Sequence, residues 1–236
     1  VYCFTVDDGA VVWSVDLLQV FDASNIRWGL TESLLIDGNT IFCTPGGHDH
    51  NVVALNRFTG ATIWTSTGNR GPAAYCSPIL VNHNGTRLLI TMTAASVIGI
   101  DADTGESYWN IEQRQTHDIH ANTPLYHNGM VLCSSADDKS GPDGTALIQL
   151  SPDGKKAEVV WRDADIQNLM GGNILLDGYV YGSLYKRSDW YCLDWNTGEL
   201  QYMYEDLTSG VIIYADGLFY CYTNRGEMAL VQADPE

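Results

Sequence analysis

The chain has 236 residues, 45% of them hydrophobic and 17% charged, and a formal net charge of −17. That length can bury a sizeable single core. With 12 Lys and Arg against 29 Asp and Glu there is no basic stripe, which excludes a nucleic-acid-binding surface. No apolar run reaches membrane-spanning length, so no membrane span is expected.

Two turn signals alternate along the chain. The first is a phrase: a small residue, an apolar residue, Asp or Asn, two variable residues, Thr-Gly, then an aromatic four residues on. Cys3-Phe4-Thr5-Val6-Asp7-Asp8-Gly9 with Trp13 is a loose copy. Ala54 to Gly60 with Trp64, Gly99 to Gly105 with Trp109, and Cys192 to Gly198 with Tyr202 are close ones. Ser151-Pro152-Asp153-Gly154, followed by Trp161, is a shorter variant. An Asx side chain that can bond the backbone of the turn, and a Gly that accepts positive φ, mark these as hairpins. The second signal is Asp37-Gly38, Asn84-Gly85, Asn128-Gly129, Asp177-Gly178 and Asp216-Gly217, each between two apolar runs. Asn-Gly and Asp-Gly are strong hairpin signals.

Each repeating unit therefore holds two hairpins, or four strands. Gly9, Gly60, Gly105, Gly154 and Gly198 recur at roughly 40–50 residues, the spacing of β-propeller blades. The expected fold is all-β: a β-propeller of four-stranded antiparallel blades in one domain. Complete blades are expected at about 28–66, 71–111, 119–162 and 169–204, with partial blades at 1–20 and 208–233, where Ala229-Leu230-Val231 reads as a third strand. The chain opens in mid-strand and is read as a segment of a larger ring. A closed five-blade ring is the alternative.

The phrase small-x-Asp-x-x-Thr-Gly-x-x-x-Trp resembles the repeat of the pyrroloquinoline-quinone (PQQ) propeller family. Trp28-Gly29-Leu30-Thr31-Glu32-Ser33, Cys43-Thr44-Pro45-Gly46-Gly47 and Tyr214-Ala215-Asp216-Gly217 are similar to its bacterial PQQ-binding-like propeller repeat group. The resemblance covers essentially the whole chain. It implies an eight-bladed ring, inter-blade packing of Trp13, Trp64, Trp109 and Trp161, and export to the periplasm or cell surface. The family includes quinoprotein alcohol dehydrogenases and propellers without demonstrated catalysis. Many of the dehydrogenases carry an adjacent Cys-Cys pair at the cofactor, and this chain has none.

The six cysteines read as packing positions. Cys43, Cys133 and Cys221 fall at near-equivalent places, and Cys3 and Cys192 share a column with Ala54 and Gly99. This suggests small buried sites near a crowded ring centre. No CxxC supports a zinc site.

Propeller function gathers where first strands meet a channel mouth. Counting back from the Asn/Asp-Gly turns aligns Thr31 and Glu32 with Asn122 and Thr123, with Gly171 and Gly172, and, allowing one extra residue, with Cys76 and Ser77. Approaching loops bring Trp28, Tyr75, His117, His120, Asn168 and Met170. The candidate ligand-binding set is thus Trp28, Thr31, Glu32, Tyr75, Ser77, His117, His120 and Asn122, with no catalytic or metal residue assigned. Gly171 and Gly172 are expected to open space there.

Other features read as scaffold. His48-Asp49-His50 could converge on a cation only if extended, and Gly46-Gly47 before them suggests a loop. His83 and His127 adjoin turns and are expected in solvent. Asp137 to Gly144 reads as a solvated acidic hairpin tip without an EF-hand pattern. No nucleophile elbow or phosphate loop is present. The leading expectation is a non-catalytic scaffold, needing no cofactor, that binds a protein, peptide or glycan at the mouth. The alternative is a quinoprotein dehydrogenase oxidising an alcohol or sugar with PQQ and calcium, because Glu plus Asn resembles part of that calcium shell. Calcium, however, wants six to eight oxygens.

Overall fold

Both turn signals form hairpins in the computed structural model, which describes residues 1–117, 119–136, 143–185, 187 and 189–235. A two-stranded sheet, β1 (Tyr2–Phe4) and β2 (Val11–Ser14), leads into a single helical turn, α1 (Leu17–Val20). Asp16 caps that turn through the main-chain N–H groups of Leu18 and Gln19. Four four-stranded meanders follow in chain order. They are β3 (Leu35–Asp37), β4 (Thr40–Cys43), β5 (Val52–Asn56) and β6 (Thr62–Ser66); then β7 (Ile79–His83), β8 (Thr86–Thr93), β9 (Ser96–Asp101) and β10 (Ser107–Glu112). Next come β11 (Leu125–His127), β12 (Met130–Ser134), β13 (Thr145–Leu150) and β14 (Ala157–Asp163); then β15 (Ile174–Leu176), β16 (Tyr179–Ser183), β17 (Trp190–Asp194) and β18 (Leu200–Tyr204). A three-stranded sheet closes the series: β19 (Gly210–Ala215), β20 (Leu218–Thr223) and β21 (Met228–Gln232). The fold class is all-β, built from the four-stranded antiparallel blades of a β-propeller.

The Asn-Gly and Asp-Gly turns join the first two strands of each blade. Asn84, Asn128, Asp177 and Asp216 have φ of 50, 48, 50 and 53°, each followed by a positive-φ Gly. That pair of left-handed residues matches the right-handed twist of the flanking strands. The first blade departs from the expected alignment. Asp37 pairs with Thr40, so the two-residue loop is Gly38-Asn39, and only Gly38 is left-handed. Every residue counted back from Asp37-Gly38 therefore shifts by one.

The repeated phrase forms the turn between third and fourth strands. Asp101 Oδ1 accepts from Asp103 N and Thr104 N, at 2.9 and 2.8 Å. Asn56 and Asp194 do the same for their own turns. The Thr hydroxyl then accepts from the N–H two residues on. The chain closes with Gly60, Gly105 and Gly198 at φ of 71, 80 and 73°. One strand bulges as it leaves each turn, because the turn holds more residues than a tight hairpin allows.

The repeat Trp, four residues beyond the Gly or seven in the shorter variant, docks on the corresponding turn of the next blade. The Trp13, Trp64 and Trp161 indoles donate to Arg57 O, Ala102 O and Trp195 O at 3.0, 3.1 and 3.0 Å. The same rings lie on Gly60, Gly105 and Gly198, where a Cβ would approach within 2.7 Å. Trp109 donates to Gly154 O of the shorter turn at 3.1 Å. Each dock joins an apolar ring to a satisfied indole N–H, and a bare backbone is required beneath it.

The column of small residues has a different cause from ring crowding. Ala54, Gly99, Cys192 and Cys3 lie directly across the strand pair from Trp64, Trp109, Tyr202 and Trp13. A Cβ on Gly99 would meet the Trp109 ring at 2.1 Å. The column is small because the repeat aromatic lies over it. All six cysteines are free; five are buried and Cys3 is half-exposed, so the expectation of uniform burial fails at the β1–β2 hairpin.

The chain forms two compact units, Val1–Glu112 with Ser151–Ala157, and Gln113–Leu150 with Glu158–Glu236. In the first, β4 and β5 are buried on both faces. Ile41, Cys43, Val53 and Leu55 pack on Leu17 and Phe21, while Phe42, Val52 and Ala54 pack on Leu89, Ile98 and Ile100. Such two-faced burial explains the unbroken apolar runs of these strands. In the second, Leu132, Leu147, Val180, Tyr191 and Leu193 form one core, and Tyr181, Cys192, Ile212, Phe219 and Cys221 another.

Candidate functional site

In the first unit, the structure brings Trp28 and Tyr75 together. Their ring centroids are 5.4 Å apart at a tilt of 54°, and the Arg27 guanidinium sits 4.8 Å over Trp28. Trp28 remains 55% exposed, so this is an open aromatic surface on a loop, capped on one side by a cation. Ser77 Oγ accepts from Ser33 N at 2.9 Å, tying the approach to β3 to the approach to β7. Thr31 is exposed.

Glu32 points inward. Its Oε1 accepts from Thr44 N at 2.6 Å, while Oε2 is buried with no hydrogen-bond partner among the described residues. Desolvation pushes this carboxyl up from 4.5 to about 7, against hydrogen bonding from Thr44 that favours the ionised form. The thiols of Cys43 and Cys76 feel its charge. Cys76, bonded around Thr91 and Met92, is pushed up to about 11 mainly by burial. A carboxyl whose ionisation is opposed by burial, beside two thiols that burial keeps protonated, is an interior arrangement rather than an exposed ligand set.

In the second unit, Asn122 is buried and committed at both ends. Its Nδ2 donates to Asn168 O at 2.8 Å and its Oδ1 accepts from Gly172 N at 3.0 Å. His120 is fully buried and His117 exposed. Asp118, between them, and Asp137 to Pro142 of the acidic loop lie outside the described residues.

With the corrected turn register, Glu32, Asn122, Gly171 and Gly210 stand the same distance before their turns. They precede or begin the first strands rather than lying within them. Gly171 does not open space, as the sequence suggested: a Cβ there would strike Gly210 O at 2.4 Å. Gly172 has nothing within 4 Å and matches the expectation.

Sequence reasoning missed a cavity of about 300 Å³ in this unit, lined by Asn168, Met170, Gly171, Ser183, Gly210 and Thr223 among others. Ser183 Oγ donates to Gly210 O at 2.8 Å, and Asn168 Nδ2 donates to Gly172 O at 2.7 Å. Asn168 and Met170 were among the loop residues singled out. Ser183 and Thr223 end their second strands, a position that counting back from turns does not reach.

The remaining candidates are structural. His48 and Arg70 meet at exposed Asp49, and His50 instead sets its edge on Phe21. His83, expected in solvent, is buried with Nε2 2.8 Å from Ser151 O, because the shorter turn packs over it. Among the described residues, no group of three or more His, Cys, Asp or Glu is placed to hold a metal ion.

Blade-type sheets locked by indole-on-glycine docks define a PQQ-repeat propeller. The family model described as outer membrane protein assembly factor BamB matches residues 1–204, and the chain belongs to that family. No curated protein sequence matches it. Among solved structures, BamB from Moraxella catarrhalis is similar with a TM-score of 0.63 at 12% identity, over 98% of this chain and 70% of that one. The quinohemoprotein alcohol dehydrogenase from Comamonas testosteroni is similar with a TM-score of 0.58 at 13% identity, over 86% and 41%. The computationally designed Ika8 protein gives 0.57 at 12%, over 84% and 57%. At such identities these likenesses show the fold alone. A dehydrogenase and a designed protein share it, which illustrates how little a fold says about function.

Proposed function

We propose that this chain is a non-catalytic scaffold whose loops bind a partner, a protein or peptide segment in preference to a glycan, with Trp28 and Tyr75 as contacts. Export to the periplasm or cell surface is part of the proposal, in keeping with a family named for outer-membrane protein assembly. The observation that carries it is the commitment of Asn122: both ends of its carboxamide bond main chain. Glu32 likewise spends one oxygen on Thr44 N and buries the other. These two side chains, the oxygen donors that a calcium-bound quinone would call on, do not fit that group, and no redox step is derived from it. What stays open is the tilted Trp28–Tyr75 pair beneath Arg27. Large aromatics and Arg are the residue types that anchor protein interfaces.

The test is a photo-crosslinking residue placed at Trp28, with Thr62 on β6, also exposed, as the control position. In cell-envelope extract the Trp28 position should give a discrete adduct that is lost with Tyr75→Ser, and the Thr62 position should give none. Equal labelling from both positions would refute the assignment.

A further inference from the structure

The tripeptide His-Asn-Gly occurs twice, as His83-Asn84-Gly85 in the β7–β8 turn and as His127-Asn128-Gly129 in the β11–β12 turn. In both copies the Asn is left-handed, with φ of 50 and 48°, and so is the Gly behind it, with φ of 90 and 80°. An Asn followed by Gly is chemically labile, because the Gly nitrogen meets no Cβ of its own on the way to the Asn side-chain carbonyl. The identical sequence gives the two copies the same intrinsic reactivity. The fold separates them.

In the first copy each reacting group is engaged elsewhere. Asn84 Nδ2 donates to Pro152 O at 2.9 Å, Gly85 N donates to Asn82 Oδ1 at 3.0 Å, and Thr86 Oγ1 donates to Asp153 O at 3.0 Å. His83 is buried, with Nε2 2.8 Å from Ser151 O. The short turn at Ser151 to Gly154 thus pins this hairpin tip, and five residue pairs hold its two strands together.

In the second copy His127 and Asn128 are both exposed. Asn128 Nδ2 lies 2.9 Å from His127 Nε2. An amide nitrogen only donates, so Nε2 accepts and the imidazole carries its proton on Nδ1. The ring is steadied edge-on against Trp195, with centroids 6.0 Å apart at 88°. Main-chain anchoring falls on the Gly instead, whose O accepts from Leu150 N and Gln149 Nε2 at 2.9 and 3.0 Å. Only three residue pairs join β11 to β12, so this tip opens at lower cost than the β7–β8 tip.

We propose that Asn128 is a site of spontaneous deamidation, with His127 as its proton carrier, and that the fold protects Asn84 in the same tripeptide. As the turn opens, Gly129 N gives up its proton and attacks Asn128 Cγ. The Cγ–Nδ2 bond breaks, and the nitrogen leaves as ammonia with a proton delivered from His127 Nε2, which recovers the one that Gly129 N lost. Water then opens the cyclic imide, at Cγ to give Asp or at the main-chain carbonyl to give isoaspartate. The products differ in consequence. Asp suits the turn, since Asp177 and Asp216 hold the same place at φ of 50 and 53°. Isoaspartate adds a methylene to the main chain of a two-residue loop, which disrupts the His127–Met130 pairing.

The test follows both copies in one sample. The chain is incubated in neutral buffer, natively and in urea, and peptide mapping by mass spectrometry measures conversion at each Asn, with an isoaspartate-specific carboxyl methyltransferase reporting the isoaspartate. In the native chain Asn128 should convert about tenfold or more faster than Asn84, whose own hydrogen bonds and that of Gly85 must break first. In urea the two should convert at like rates. His127→Gln should slow Asn128 severalfold in the native chain and leave Asn84 unchanged. Equal native rates, faster conversion at Asn84, a bias that persists in urea, or indifference of Asn128 to His127→Gln would each overturn the proposal.

Discussion

Glu32→Gln should flatten part of the pH dependence of stability. The carboxyl titrates near 7 when folded and near 4.5 when free. Between those values the folded chain holds a proton that the unfolded chain has released. The stability this provides is fully present below pH 4.5 and is lost as pH rises through 7. A difference of about 2.5 pH units corresponds to about 3 kcal/mol. The groups that face the carboxyl are Thr44 and the thiols of Cys43 and Cys76, and burial pushes both thiols up, so they stay neutral throughout this range. The Gln amide keeps an oxygen for Thr44 N and carries no proton to lose. Urea unfolding at a series of pH values between 4 and 8, for wild type and variant, isolates the effect, because all other carboxylates contribute to both curves. The wild type should lose about 3 kcal/mol relative to the variant from the acid end to the alkaline end of that window. A difference that stays constant across the window would refute the burial argument.

The docks should dominate stability. Trp109→Ala removes a buried indole and leaves Gly154 O unpaired, so urea unfolding should show a loss of about 3–5 kcal/mol. Half-exposed Trp13, mutated to Ala, should cost less, and an unchanged urea midpoint for Trp109→Ala would show that its dock holds nothing. Gly99→Ala drives a methyl into the Trp109 ring and should cost about 1–3 kcal/mol. Combined with Trp109→Ala its cost should largely vanish, and strict additivity in a double-mutant cycle would separate the two residues.

Much of the fold was legible because its determinants are local. An Asx residue, a Thr hydroxyl and a left-handed Gly specify three of the third turns from within five residues, and Asn-Gly or Asp-Gly specifies four of the five first turns. The exception, Gly38-Asn39, shows the limit: Asp37-Gly38-Asn39 offers two registers, and strand pairing between Asp37 and Thr40 chooses one. The candidate site was less legible because its residues are spent non-locally. Asn122 bonds a loop nearly fifty residues away, and the burial of the Glu32 carboxyl depends on Cys43 at the end of β4, Thr44 after it and Cys76 on the approach to β7. His83 was misread for the same reason: the turn that buries it arrives with Ser151. Trp28 and Tyr75, named in the sequence only as residues of approaching loops, meet because those two loops come together in the first unit.

The claim that this chain binds rather than catalyses is tested most directly by titrating it with PQQ in the presence of calcium, following the quinone absorbance and dye-linked alcohol oxidation together. With Asn122 committed to main chain and Glu32 buried on Thr44, neither saturable quinone binding at micromolar concentration nor turnover is expected. Micromolar binding that disappears in Glu32→Gln, accompanied by alcohol oxidation, would contradict the account.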